Sequence, residues 1–581
     1  MLSLRSAFSA LAVAAAVAAA VPAPAQTNRG LAGPYLAARA AIGANDYEAA
    51  ARYYARAMVR DGRNPEVLQN AIIAQMGLGN LARAEPIARQ LRSIGADSQI
   101  ANLVLLVDQL VREDWSGVLE DFEAGMSVGP LVDGLVRAWA ELGAGDMEAA
   151  RAAFDRVSEE TGMPAFGRYH AALARAVSGD LEGAEEFFSG GAEGAPMRLT
   201  RRGVVARAQV LGRLGRADEA VALIDDNFGA DLEPGLAALR ARLAAGEDVA
   251  FDLVRNATDG AAEVFYTVAG ALRGEAQASY TLLYARAAEA LRDDHVDAIL
   301  LSAGLLDEME RYDLAVETYE RVPADHPSFH VAEIGRAEAL EQSGREARAI
   351  EVLRALAETH GDQAVVHITL GDMLRGLERY DAATPAYDRA IALFSEDLES
   401  HWVVYFARGI THERSDRWPQ AEADFRKALE LNPGQPSVLN YLGYSFIDME
   451  ENLDEAMQMI REAVAARPES GHIVDSLGWG LYRLGRYEEA VEHMERAAEL
   501  LPVDPIVNDH LGDVYWAVGR EVEARFQWQR ALSFDPEPEE AERIRRKLEV
   551  GLDQVLAEEG APPLEMAGEN AGGAAEAEDG G

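Results

Sequence analysis

Cysteine is absent from the 581 residues. That absence removes thiol catalysis, thiolate zinc sites, disulfides and a lipid on an N-terminal cysteine in one step. Lysine occurs only at Lys427 and Lys547, which leaves little for Schiff-base chemistry. Positive charge is scarce overall: 54 Lys and Arg stand against 98 Asp and Glu, a net charge of -44. A nucleic acid or an anionic bilayer would meet a repulsive field, and no Lys/Arg stripe offers a local exception. Runs of Val, Ile and Thr with period-two alternation are also rare, so a sheet is not expected. The sequence is rich instead in Ala, Leu, Glu and Arg, all strong helix formers.

Only one long apolar run is present, from about Ala7 to Val21, between Met1-Leu2-Ser3-Leu4-Arg5 and Pro22-Ala23-Pro24-Ala25-Gln26. A basic start, a short apolar segment and small residues at Ala23 and Ala25 read as a secretory signal peptide over 1–25, cleaved before Gln26. No later stretch approaches the ~20 apolar residues of a spanning helix. The expected mature chain therefore has no transmembrane segment and is exported across the inner membrane to the periplasm. An uncleaved leader acting as an anchor is the alternative.

Motifs of catalysis are missing. There is no His-Glu-x-x-His, no Gly-x-Ser-x-Gly, no phosphate-binding Gly-x-x-x-x-Gly-Lys and no dinucleotide glycine fingerprint. His326 and His330 have metal-ligand spacing, but Pro327 and a helix boundary lie between them, so they read as loop and helix-start histidines. No metal, no cofactor and no enzymatic activity are expected. An enzyme hidden in 232–294 would have to work without cysteine, lysine or histidine.

A period is what the sequence does have. Leu477-Gly478, Leu481, Gly485, Tyr487, Ala490, Ala497 and Pro502 recur as Leu511-Gly512, Tyr515, Gly519, Ala524, Ala531 and Pro536, each matched pair thirty-four positions apart. The frame runs back through Ala456, Ala421, Ala383, Ala349 and Ala315. Small residues on the first helix of each unit let the second approach, a bulky residue such as Tyr319, Tyr387, Phe425 or Trp528 is expected to fill the gap toward the next unit, and proline closes the unit. A looser form of the pattern runs through Tyr47, Ala50 and Tyr54, then Ala84 and Ala88, Trp115 and Phe122, Ala150 and Phe154, Ala184 and Phe188, and Ala220 and Ile224.

These residues resemble the tetratricopeptide repeat (TPR) consensus over nearly the whole mature chain. The resemblance implies an all-α fold, a TPR-type α-solenoid in which antiparallel helix pairs form a right-handed superhelix. The expected organisation is a signal peptide (1–25), a degenerate TPR array (26–231), an irregular helical junction or hinge (232–294), a regular TPR array (295–536), a capping helix (537–557) and a disordered acidic tail (558–581).

The resemblance also implies a concave groove lined by the first helix of each unit. Its groove positions map onto Val403, Phe406 and Ile410, then Asn440, Tyr444 and Ile447, then His472, Asp475, Trp479, Tyr482 and Arg483, then Asp509, Asp513 and Trp516. An aromatic and acidic surface suits a peptide with apolar and basic side chains, or else the aromatics pack between helices. Asp475 and Asp509 stand where a carboxylate-clamp TPR needs cation and amide, which disfavours that subtype. The segments around Asn440–Tyr444, Asp475–Trp479 and Asn508–Asp513 are similar to bacterial envelope TPR proteins, among them adaptors of carboxy-terminal processing proteases, although the lipobox cysteine of some of that group is missing. The expected partners are other proteins, in an envelope adaptor or scaffold. The second reading is a structural component of an envelope export machine, for polysaccharide secretion or outer-membrane biogenesis.

Overall fold

The computed structural model describes residues 32–190, 198–229, 232–562 and 564. The expected leader (1–25) lies outside the described residues, as does nearly all of the expected tail beyond 562. The described residues form α-helices joined by short turns, with one 3-10 turn at Glu399–His401 and an isolated bridge between Arg273 and Ala276. Sequential helices pair antiparallel along the chain, the α-solenoid arrangement.

Local chemistry sets the helix ends. In the first part of the chain the second helix of a pair starts at an aspartate whose side chain accepts from the backbone N–H three residues on: Asp46 from Ala49, Asp114 from Gly117, Asp146 from Ala149, Asp180 from Gly183. Each cap satisfies one orphan donor of the helix start. Farther along, arginine takes this place, and Arg486 and Arg520 instead pair with Glu489 and Glu523 in the first turn.

The chain divides into two compact units, Met1–Leu356 and Ala357–Gly581. This boundary falls inside the stretch 295–536 that the sequence presents as one array. In 232–294 the sequence suggests an irregular helical junction or hinge. The structure has the helices Pro234–Ala244, Ala257–Leu272 and Ala278–Leu291 there, and the last two turn back onto the array that precedes them.

Within the first unit, Ala257–Leu272 packs against Pro130–Gly143, Pro164–Val177 and Gln99–Val111, and Ala278–Leu291 packs against Pro65–Gly77 and Gln99–Val111. These are first helices of successive pairs, so the hairpin covers the face that a TPR array usually leaves for a partner. Ten of the sixteen residues in Ala257–Leu272 are buried, on every side of the helix. Gly260 faces the Trp139 indole so closely that a Cβ there would lie 2.3 Å from the ring. A helix apolar on all sides belongs inside a fold.

In the second unit the bulky side chains sit somewhat differently from the expectation. Tyr387, Phe425 and Trp528 lie against Gly371, Gly409 and Gly512 of the first helix in their own pair, where a Cβ would come within 2.7, 2.5 and 2.4 Å of the rings. Phe425 also reaches the next pair at Tyr441, with centroids 5.2 Å apart. In the first unit Tyr319 does point forward, onto Gly335 of the next pair. The close backbone approach at these glycines is what lets one ring fill the space between two helices.

The end of the array is built from two helices, Pro538–Val550 and Leu552–Glu559, where the sequence suggests one over Pro538–Leu556. Gly551 separates them at φ 86°, a left-handed backbone that stops the first helix.

Candidate functional site

The face made by the first helices of the second unit is the candidate site: Ala364–Gly376, Trp402–Glu413, Pro436–Asp448, Gly471–Arg483 and Pro505–Ala517. Its centre is an aromatic stack. The Trp479 indole lies parallel to the Tyr482 ring at 4.8 Å and to the His510 imidazole at 3.9 Å. His510 Nδ1 stands 3.1 Å from both carboxylate oxygens of Asp475. Burial works against the imidazolium, yet Asp475 and the nearby Asp509 and Asp513 hold the His510 pKa above the ordinary histidine value. Tyr444 sits beside this cluster, its hydroxyl pushed up to about 12 by burial and by the Asp475 and Asp448 charges.

The sequence-derived residues fall into three groups. Buried ones hold the stack together: Asp475 and Tyr482 are 7% exposed each, and burial pushes the Tyr482 hydroxyl far up. Surface ones are accessible: His472 is exposed, and Arg483 is exposed while it pairs with Glu450 at 2.9 Å. Asn440 is half-buried, with an amide oxygen that is buried and bonds to nothing among the described residues.

Asp509, Asp513 and Trp516 are engaged by the chain's own last helices. Lys547, fully buried, places Nζ 2.7–2.9 Å from both oxygens of Asp509 and 2.7 Å from both of Asp513. Trp528 Nε1–H donates to Asp513 at 2.9 Å, and Trp516 Nε1–H donates to Asp553 at 2.9 Å under the turn at Gly551. These three positions build the cap, because two carboxylates facing inward require a cation and Lys547 supplies it. Lys547 is one of only two lysines in the chain, and that rarity is the one signal in the sequence that marks it.

The accessible apolar part lies toward the start of the unit. Val365 and Val403 are each 45% exposed. Ile368, Val403, Phe406 and Ile410 line a cavity of about 220 Å³, with Asp372 and Arg375 at its polar side. Asp372 accepts from the Tyr387 hydroxyl at 2.7 Å. Ile447 is buried in the core.

Among the described residues no cluster of three or more His, Asp or Glu could hold a metal ion. His326 Nδ1 accepts from the Ser328 N–H, and His330 Nδ1 lies 3.0 Å from the Pro327 carbonyl, so each of these ring nitrogens is turned to local backbone. No helix among the described residues is long and apolar enough to cross a membrane.

Comparison with known proteins accords with this architecture. Tetratricopeptide-repeat family models match residues 41–105, 300–364, 362–433, 406–471 and 475–502. Among curated proteins, a TPR repeat-containing protein of Pseudomonas aeruginosa, PA4667, is 26% identical over 220 residues, 38% of this chain and 36% of its own length. The type IV pilus assembly protein PilF of the same organism is 28% identical over 132 residues, 22% of this chain and 52% of its own. The chain thus spans about a third and about half of these relatives. Among solved structures, the APC/C hetero-tetramer Cut9-Hcn1 aligns over 89% of this chain and 96% of its own, with a TM-score of 0.36 and 14% identity. Yeast Tom70 aligns over 91% and 98%, with a TM-score of 0.33 and 14% identity.

Proposed function

We infer a protein-binding scaffold, starting from the premise that this chain belongs to the tetratricopeptide-repeat family. One observation carries the choice of surface: the first helices between 65 and 177 in the first unit are covered by the chain's own 257–291 hairpin, whereas successive first helices of the second unit keep exposed side chains at Val365, Val403 and His472. Partners therefore engage the second unit between Val365 and Arg483. The contacting groups are the apolar cavity at Phe406 and Ile410 and the surface around Asn440, Tyr444, His472, Trp479 and Arg483. A protein segment with apolar anchors fits this surface.

The leader read from the sequence supports a periplasmic setting, and the similarity to envelope TPR proteins supports an adaptor that brings clients to an envelope protease. A second reading, a component of an envelope assembly or export machine, draws support from the relative named as a pilus assembly protein.

Affinity capture from the envelope fraction separates these readings. Wild-type protein should retain specific partners, and the surface variant Val403→Glu with His472→Glu should lose them at unchanged helix content and melting temperature. A processing protease among the lost partners supports the adaptor, and membrane-assembly proteins support the second reading. If the variant retains every partner, the surface assignment is wrong.

A further inference from the structure

A cavity in the first unit plays no part in the partner surface. It measures about 450 Å³ and forms where the inserted helix Ala257–Leu272 meets Pro164–Val177 and the start of Arg201–Arg213. Phe166, Leu199, Tyr266 and Ala271 give it a largely apolar wall. Volumes of ~300–1,000 Å³ are usual for small-molecule sites.

The polar groups of the wall divide sharply into spent acceptors and available donors. Glu263, 1% exposed, accepts from the Tyr169 hydroxyl at 2.8 Å and from Arg202 at 3.0 and 2.6 Å, and His295 Nε2 lies 3.4 Å away. Burial alone would raise the Glu263 pKa, but Arg202 and His295 hold it well below the carboxylate range. Asp297 is bound by Arg202 and lies 3.6 Å from Arg201. Glu263 is thus consumed inside the wall, and Asp297, with its side chain 27% exposed, is held between two arginines.

What is left donates. The Tyr266 hydroxyl bonds to no group among the described residues, and Arg198 stands exposed at the rim. The start of the Arg201–Arg213 helix borders the same space, and of its first N–H groups Gly203 N–H is taken by the Thr200 side chain. Gly270 borders the space with nothing within 4 Å of an added Cβ.

An apolar wall whose two carboxylates are already paired with arginines, and which still offers donors, suits an apolar body with one anionic head. We propose that this cavity binds an apolar monocarboxylate, the head meeting Arg198, Tyr266 and the helix start, and the body lying against Phe166, Leu199 and Ala271. The carboxylate belongs either to a free organic acid or to the carboxy-terminal residue of a peptide.

Calorimetric titration of the full chain tests this with octanoate, with 1-octanol as the uncharged control, and with the peptide Ala-Ala-Phe carrying a free or an amidated carboxy-terminus. The expected result is saturable binding of octanoate or of the free peptide, at least about tenfold weaker binding of its uncharged counterpart, and loss of binding in Gly270→Leu, which fills the space. Arg198→Gln, on the exposed rim, should weaken binding several-fold without touching the fold, and so stands if Gly270→Leu proves unstable. Binding of octanoate alone identifies a free acid, and binding of the peptide alone identifies a chain terminus. Failure of both acids to bind, equal binding of charged and uncharged probes, or binding unaffected by either variant would overturn the proposal.

Discussion

At the scale of single residues, the second unit depends on glycines that carry rings. Gly512 is the tightest case: a Cβ would lie 2.4 Å from the Trp528 indole and 3.2 Å from the Ala524 carbonyl oxygen. Trp528 cannot swing away, since it is fully buried and its Nε1–H is fixed to Asp513. Gly512→Ala should therefore destabilise this unit by about 2 kcal/mol, the usual cost of an extra methyl in a packed interior. Gly376→Ala is the control, because a Cβ there meets nothing within 4 Å. Equal melting temperatures for the two variants would show that the ring contact is slack. The sequence made part of this packing legible, because small residues on the first helix and bulky ones on the second recur from unit to unit. It did not show which way a ring turns, since Tyr319 faces the next pair and Tyr387 its own, and both meet a glycine.

At the scale of elements, the two places where the sequence pattern says least have separate physical causes. Ala257–Leu272 escapes a periodic reading because its small and apolar residues lie on all sides, so no stripe marks a face. The cap escapes because its specificity is electrostatic and distant in sequence: Lys547 reaches Asp509 and Asp513, thirty-eight and thirty-four residues back. The same two aspartates look like partner-binding groups when the cap is not in view. Removing the cation should expose the difference. Lys547→Met leaves the two inward carboxylates with only the more distant Arg543, 3.9 Å from Asp509 and 3.7 Å from Asp513, and should cost about 3 kcal/mol in the unfolding of the second unit. Adding Asp509→Asn and Asp513→Asn should recover most of that loss, because the asparagine at 513 still accepts from Trp528. A loss below ~1 kcal/mol, the range of an exposed ion pair, would mean that the cap is not held by this lysine.

At the scale of the whole molecule, the two units carry histidines whose protons act in opposite directions. His170, in the first unit, is fully buried, accepts from the Trp139 indole N–H at 3.2 Å, and has its pKa lowered by burial from 6.5 to about 4. The unfolded chain binds a proton at His170 between those values and the folded unit does not, so stability is lost as pH falls from 6.5 toward 4, by about 3 kcal/mol. Glu263, held low by Arg202, acts in the same direction at more acidic pH. His510, in the second unit, has its pKa raised by Asp475, and its contribution is complete below 6.5 and fades as pH rises through the folded value. Hydrogen exchange followed by mass spectrometry on the full chain can read both units at once. Between pH 7.5 and 5, protection should decline in Pro130–Gly143 and Pro164–Val177 while Gly471–Arg483 holds or gains, after correction for intrinsic exchange. His170→Gln keeps an acceptor for Trp139 without the titration and should flatten the first trend alone. Parallel loss in both units, or no response to His170→Gln, would place the acid sensitivity elsewhere than in these two imidazoles.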